Sequence, residues 1–253
     1  MITNLENAFA PYPTSAAFGG QSSDSLGALP FFPSFASFLP PADSHVAPAS
    51  QGADSQWPCQ NSKMHQPQQS VYLPPTTQPG RMTLFLDMDD TLLRTYSFAE
   101  LQCMPSLVRN FDFAVCFMNH AFELEHRAVF KRRGLDRFLE EVSRLFEVCL
   151  YTAADRDYAE AIIEVLDPHR RIFQHVLCRE ECTKRREGNY VKQLSCIKGR
   201  APERMLLVDD NPENIRENEG RAISIRPFGY SLGCDNELSE VLASLKAAVG
   251  VHN

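Results

Sequence analysis

TLFLDMDDTLLR, residues 83 to 94, joins an apolar run to three carboxylates within four positions, Asp87, Asp89 and Asp90. The run MTLFL (82–86) is short enough for a strand buried on both faces. In open parallel sheets, ligands gather beyond the carboxyl ends of the strands. Ionised aspartates crowded at such a point cost free energy unless a cation or a fixed positive group sits among them. The stretch therefore predicts a buried strand that carries carboxylates to a charged ligand.

From Met82 onward, strand-like and helix-like segments alternate. GLDRFLEEVSRLF sets Leu135, Phe138, Leu139, Val142, Leu145 and Phe146 on one helical stripe. EVCLYT reads as a strand, and DRDYAEAIIEVLD as a helix stopped by Pro168. RIFQHVL, RMLLVDD and AISIRPF read as further strands, and residues 235–249 as a closing helix. NPENIREN begins like a helix, with Asn211 as cap and Pro212 at the first helical position. This order predicts an α/β, Rossmann-like fold: a mainly parallel sheet flanked by helices. One piece breaks the alternation. FDFAVCF, MNH and AFELEHRAVF predict a small β-hairpin insert after the first strand, with Phe111, Phe113, Val115 and Phe117 on one face. Packing of that face on the domain is the simpler reading, and a ligand-binding face the alternative.

Composition divides the chain unevenly. Residues 1–80 hold 12 of the 17 prolines, no arginine and one lysine, Lys63. This Pro/Ser/Gln-rich stretch has no sustained period and predicts a disordered arm whose aromatics can dock a protein partner. Residues 81–250 are left as one folded domain. The net charge of −7 disfavours a general nucleic-acid binder. No apolar run reaches membrane-spanning length and the N-terminus lacks a leader pattern, so the expectation is a soluble monomer of nucleus or cytoplasm. The eight cysteines form no CxxC pair and read as reduced thiols.

Two further strand ends carry chemistry. One is Tyr151-Thr152-Ala153, the other Val208-Asp209-Asp210-Asn211, and Lys192 lies between them in GNYVKQLS. Carboxylate oxygens suit Mg²⁺, Lys192 offers a fixed positive charge, and Thr152 a hydroxyl donor. Together they could receive a phosphoryl group and supply a carboxylate to attack it. The bland readings are a solvated turn for Asp87 and Asp89, and mere helix capping for Asp209.

The DxDxT pattern of Asp87, Asp89 and Thr91 resembles motif I of the haloacid dehalogenase superfamily. With the 138–182 stretch, GNYVKQLS and MLLVDDNPENI following in order, the chain resembles the FCP-homology domain of the small C-terminal-domain phosphatases over residues 82–248. The resemblance implies an Mg²⁺-dependent serine/threonine protein phosphatase that works through an aspartyl-phosphate. Asp87 would be the nucleophile and a metal ligand. Asp89 would be the general acid and base, its main-chain carbonyl on the metal. Thr152 would hold the phosphoryl group and Lys192 neutralise it. Asp210 would complete the metal site, Asp209 orient Lys192 or a metal-bound water, and Thr91 brace the loop, leaving Asp90 no role and facing solvent. Phe98, Val115 and Phe117 would line a substrate pocket. Phosphoserine or phosphothreonine proteins are the implied partners, including peptides like the RNA polymerase II tail. A phosphatase of other phosphoesters, or a non-catalytic phosphoprotein-binding module, stays open. The family usually has a proline where Arg133 stands. The basic runs Lys131-Arg132-Arg133 and Lys184-Arg185-Arg186 read as solvated, or as sites for an acidic or multiply phosphorylated peptide. His175, Cys178 and Cys182 fit no standard zinc spacing.

Overall fold

The computed structural model describes residues 70–104, 110–229 and 235–251, so most of the expected arm lies outside the described residues. In chain order the strands are β1 (Val71–Tyr72), β2 (Met82–Leu86), β3 (Leu93–Ser97), β4 (Phe113–Met118), β5 (Leu124–Lys131), β6 (Phe146–Tyr151), β7 (Phe173–Leu177), β8 (Thr183–Lys184), β9 (Tyr190–Val191), β10 (Ile197–Lys198), β11 (Met205–Asp209) and β12 (Ala222–Ser224). The helices are α1 (Phe98–Gln102), α2 (Leu135–Leu145), α3 (Arg156–Leu166), α4 (Pro212–Glu217) and α5 (Glu237–Ala248).

MTLFL becomes the middle strand of a five-stranded sheet in the order β12-β11-β2-β6-β7. All four pairings are parallel. Successive side chains of a strand point to opposite faces, and β2 divides accordingly. Leu84 and Leu86 enter the core shared with Phe138, Leu139 and Val142 of α2, Ile162 and Ile163 of α3, and Val241 and Leu245 of α5. Phe85 enters a second core with Tyr151, Leu194, Ile197 and Leu207. All three β2 side chains are fully buried, each contributing about 1.5–3 kcal/mol by leaving water. The helical stripe of α2 is buried at Leu135, Phe138, Leu139 and Val142 and partly buried at Leu145, where the helix stops, and Phe146 already belongs to β6. After α3, the Asp167 carboxylate accepts the main-chain N–H groups of Arg171, Ile172 and Phe173 at 2.8–2.9 Å and turns the chain into β7.

Two expectations change. The insert is a three-stranded antiparallel sheet, β3-β5-β4, because the chain leaving the DxDxT loop pairs with β5 before α1 begins. A capping box between Ser97 and Glu100 starts that helix. The domain also reaches below residue 81. β1 pairs in parallel with β10, and Leu73 is buried beside it. Gly199 permits this approach, since a Cβ there would stand 2.5 Å from the Leu73 carbonyl oxygen, and its φ of 89° suits only glycine well.

Candidate active site

The ladder continues past β2 for one residue, as the Asp87 N–H donates to the Val208 carbonyl at 3.0 Å. The chain then closes a tight loop. The Leu92 N–H donates to the Met88 carbonyl at 2.9 Å and the Asp90 N–H to the Leu93 carbonyl at 2.7 Å. Asp90 takes φ of 60°, a left-handed conformation that aspartate tolerates better than most residues. Its carboxylate is half-buried and pairs with Arg94 at 3.3 Å instead of simply facing solvent.

Arg132 holds the loop from behind. Its guanidinium donates to the carbonyls of Thr91 (3.0 Å), Asp90 (3.4 Å) and Arg226 (2.7 Å), and to the Asp235 carboxylate (2.7 Å). The side chain is 1% exposed, so the solvated reading of Lys131-Arg132-Arg133 fails for its middle member. Lys131 pairs with Asp136 and Arg133 is exposed, as a surface run would have it. In the second basic run Arg185 pairs with Glu217, and Lys184 lies over the Tyr190 ring.

Three strand ends now meet. Lys192, 2% exposed, places Nζ between Asp87 Oδ1 and Asp209 Oδ2, the latter at 2.7 Å. Its main chain is fixed by two asparagines of the α4 segment. Asn214 Oδ1 accepts from the Lys192 N–H at 3.0 Å, and Asn218 Nδ2 donates to its carbonyl at 2.8 Å. Asn214 also donates to both oxygens of Asp209, at 3.0 and 3.1 Å. Thr91 Oγ1 lies 3.1 Å from Asp87 and 3.2 Å from Asp210, so its one proton serves either carboxylate in turn. At the end of β6, Thr152 Oγ1 accepts the Ala154 N–H at 3.1 Å, which keeps its own proton for an acceptor in the cavity. Asp89 points elsewhere. Tyr158 of α3 donates to it at 2.6 Å, and Tyr158 in turn meets Thr95 of β3 at 2.9 Å.

The electrostatics divide these groups. Burial would lower the Lys192 pKa, but Asp87 and Asp209 outweigh it and push the value up, so the ammonium stays charged. Burial, followed by repulsion among themselves, holds Asp87, Asp209 and Asp210 above the ordinary carboxylate range, against the pull of Lys192 on the first two. Burial raises Asp89 to about 7, although the Tyr158 hydrogen bond opposes it. Oxygens of Asp87, Asp209 and Asp210 lie within 4.8 Å of one another. Three carboxylates facing one lysine form an under-compensated, all-oxygen donor set, which fits a hard divalent cation such as Mg²⁺. Asp209 already spends both oxygens on Lys192, Asn214 and the Asn211 N–H, so Asp87 and Asp210 have the more room to ligate.

These groups share a cavity of about 670 Å³ with Phe117, Tyr158, Arg179 and Tyr190. Of the three residues expected to line a substrate pocket, only Phe117 does so. Val115 is in the main core, 5% exposed, and Phe98 stands edge-on to Phe111. Sequence reasoning missed Tyr158, Arg132, Asn214 and Asn218. For the two asparagines a signal existed, four residues apart on one helical face.

A parallel sheet with this carboxylate-bearing loop after its middle strand is the fold of the haloacid dehalogenase superfamily. The chain is similar in structure to Fcp1, described as an essential RNA polymerase II CTD phosphatase, with a TM-score of 0.51 at 21% identity, covering 67% of this chain and 48% of that one. In sequence it is 33% identical to Phosphatase PSR1 of Saccharomyces cerevisiae over 74% of this chain and 41% of that protein. It is 32% identical to CTD small phosphatase-like protein 1 of Caenorhabditis elegans over 66% of this chain and 31% of that protein. The chain thus spans less than half the length of either relative. Residues 82–253 match the family described as NLI interacting factor-like phosphatase, and the chain belongs to that family.

Proposed function

We propose that the chain is an Mg²⁺-dependent phosphatase of phosphoserine and phosphothreonine in proteins, working through an aspartyl-phosphate on Asp87. The observation that carries this reading is the Asp87 carboxylate, fixed at the end of β2 by Lys192 and Thr91 with the Thr152 hydroxyl on the same cavity. A buried carboxylate so oriented is a nucleophile presented in one geometry. One Asp87 oxygen attacks phosphorus as the bond from phosphorus to the serine oxygen breaks. Asp89, whose pKa of about 7 leaves it partly protonated near neutrality, gives its proton to the departing oxygen. The resulting Asp89 carboxylate then takes a proton from a water that attacks the phosphoaspartate, releasing phosphate and restoring Asp87. Lys192 and Thr152 stabilise the negative charge on the transferring group. The cation would be held by Asp87 and Asp210 with the Asp89 carbonyl, and when bound would neutralise phosphoryl charge.

The names of the relatives support trying peptides like the RNA polymerase II tail first. The test is phosphate release from a phosphoserine and phosphothreonine peptide panel, with Mg²⁺ or with EDTA, for wild type and Asp87→Asn. Metal-dependent turnover lost in the variant is the expected outcome. Turnover of small phosphoesters alone would move the substrate class. No turnover by folded protein on either would sink the enzymatic reading.

A further inference from the structure

Beyond the catalytic groups, the cavity is walled by two ion pairs contributed by different elements. On β5, Arg127 Nε donates to Glu125 Oε1 at 2.6 Å, and both side chains line the cavity. Facing them, one oxygen of Asp155 at the start of α3 is approached by His120 Nε2 at 2.7 Å from the β4–β5 turn, and by the Arg179 guanidinium, through Nη1, at 2.5 Å from the segment after β7. These contacts have no hydrogen-bond alignment at the shared Oδ1, which is itself buried. All five residues line the cavity, and the side chains of Glu125, Arg127, Asp155 and Arg179 are each 28–35% exposed, so that, the shared Asp155 Oδ1 apart, they are reachable from solvent.

We propose that this wall selects hydrogen-bonding side chains at a position flanking the phosphorylated residue. The inference rests on the phosphatase reading and deepens it to a substrate class. An apolar side chain seated against two guanidinium–carboxylate pairs would strip their water and return no hydrogen bond. A polar one of the same shape would replace the lost water contacts, and guanidinium groups with donors to spare accept such ligands readily. The wall is charge-balanced, its two arginines facing two carboxylates, so the preference is for polarity and not for one sign of charge.

The decisive measurement uses phosphoserine peptides in shape-matched pairs, Thr against Val, Asn against Leu and Gln against Met, at each position within about three residues of the phosphate, the reach of an extended chain across such a cleft. Affinity is read with full-length Asp87→Asn, so binding is scored whether or not the chain turns over, while wild-type hydrolysis of 4-nitrophenyl phosphate tests the chemistry separately. At one position or more, the polar member of each pair should bind about tenfold tighter. In Asp87→Asn/Glu125→Leu/Arg127→Leu, which removes one ion pair whole and leaves only the exposed Glu100, still bonded to Ser97, without its 3.8 Å contact to Arg127, that ratio should fall by at least half. Equal affinity within the pairs, or tighter apolar binding, would overturn the proposal and leave the ion pairs a structural role alone. A polar preference that survives in the triple variant would equally overturn its assignment to this wall.

Discussion

Arg132 spends its donors on one aspartate and three main-chain carbonyls, two of them inside the DxDxT loop. Removing one partner of a buried pair strands the other, at about 3–5 kcal/mol. Arg132→Met should therefore lower the unfolding free energy by about that much in denaturant melts. Arg132→Met/Asp235→Leu should recover most of the stability, because no carboxylate is left stranded, yet stay poorly active because the loop has lost its anchor. Recovery of activity together with stability would show that the guanidinium does not position the loop. This residue was illegible beforehand. Its partner lies 103 positions away, and a Lys-Arg-Arg run carries no local sign that its middle member turns inward. Asp87 and Lys192 could be picked out as candidates beforehand because chemistry, more than packing, dictates their types, and the fold brings the two side chains together. Phe98 and Val115 came as pocket residues from the resemblance, which does not carry the packing of this insert, where Val115 joins the core and Phe98 meets Phe111.

At the scale of elements, strands buried on both sides announced themselves as apolar runs, and the helices did so through caps and stops such as Asn211-Pro212 and Pro168. The strand β3 did not. LRTYS lies at the edge of the insert sheet, its last four residues partly buried on both faces, so no period of two appears. Glu147, the second residue of β6, is 1% exposed and was read as part of an ordinary strand. Arg200 donates to it at 2.6 and 2.7 Å, and Thr83 of β2 donates at 2.7 Å. Burial alone would raise its pKa, but these hydrogen bonds outweigh burial and hold it below the ordinary 4.5. A carboxylate with a depressed folded-state pKa contributes stability that is fully present above its unfolded value and is lost as pH falls through the folded one. Thermal melts should thus show wild type losing stability below about 4.5, the unfolded reference, and Glu147→Gln should flatten that acid limb while being less stable at neutral pH. An unchanged acid limb would remove Glu147 from the account.

For the molecule as a whole, a divalent ion that binds the folded chain and not the unfolded one must raise its stability, by about 2.7 kcal/mol at a hundred times its dissociation constant. Three crowded carboxylates, two of them buried and the third half-buried, served by one lysine give the folded state the motive. Mg²⁺ should raise the melting temperature relative to EDTA, and Asp210→Asn should lose most of that shift. A shift of equal size in the variant would place the ion elsewhere. No helix among the described residues is long and apolar enough to cross a membrane.

The ties made by Arg132 have a bearing on the order of events at the ribosome. The DxDxT loop is among the first parts of the domain to be synthesised, but two of its anchors, Phe228 and Asp235, are made some 140 residues later. Until that late segment has emerged and docked, the Asp90 carbonyl lacks the Phe228 N–H and Arg132 lacks its carboxylate. The nascent chain would thus carry the DxDxT motif through the synthesis of nearly the whole domain without the contacts that hold its loop, and would gain them only once residues 228–235 have emerged.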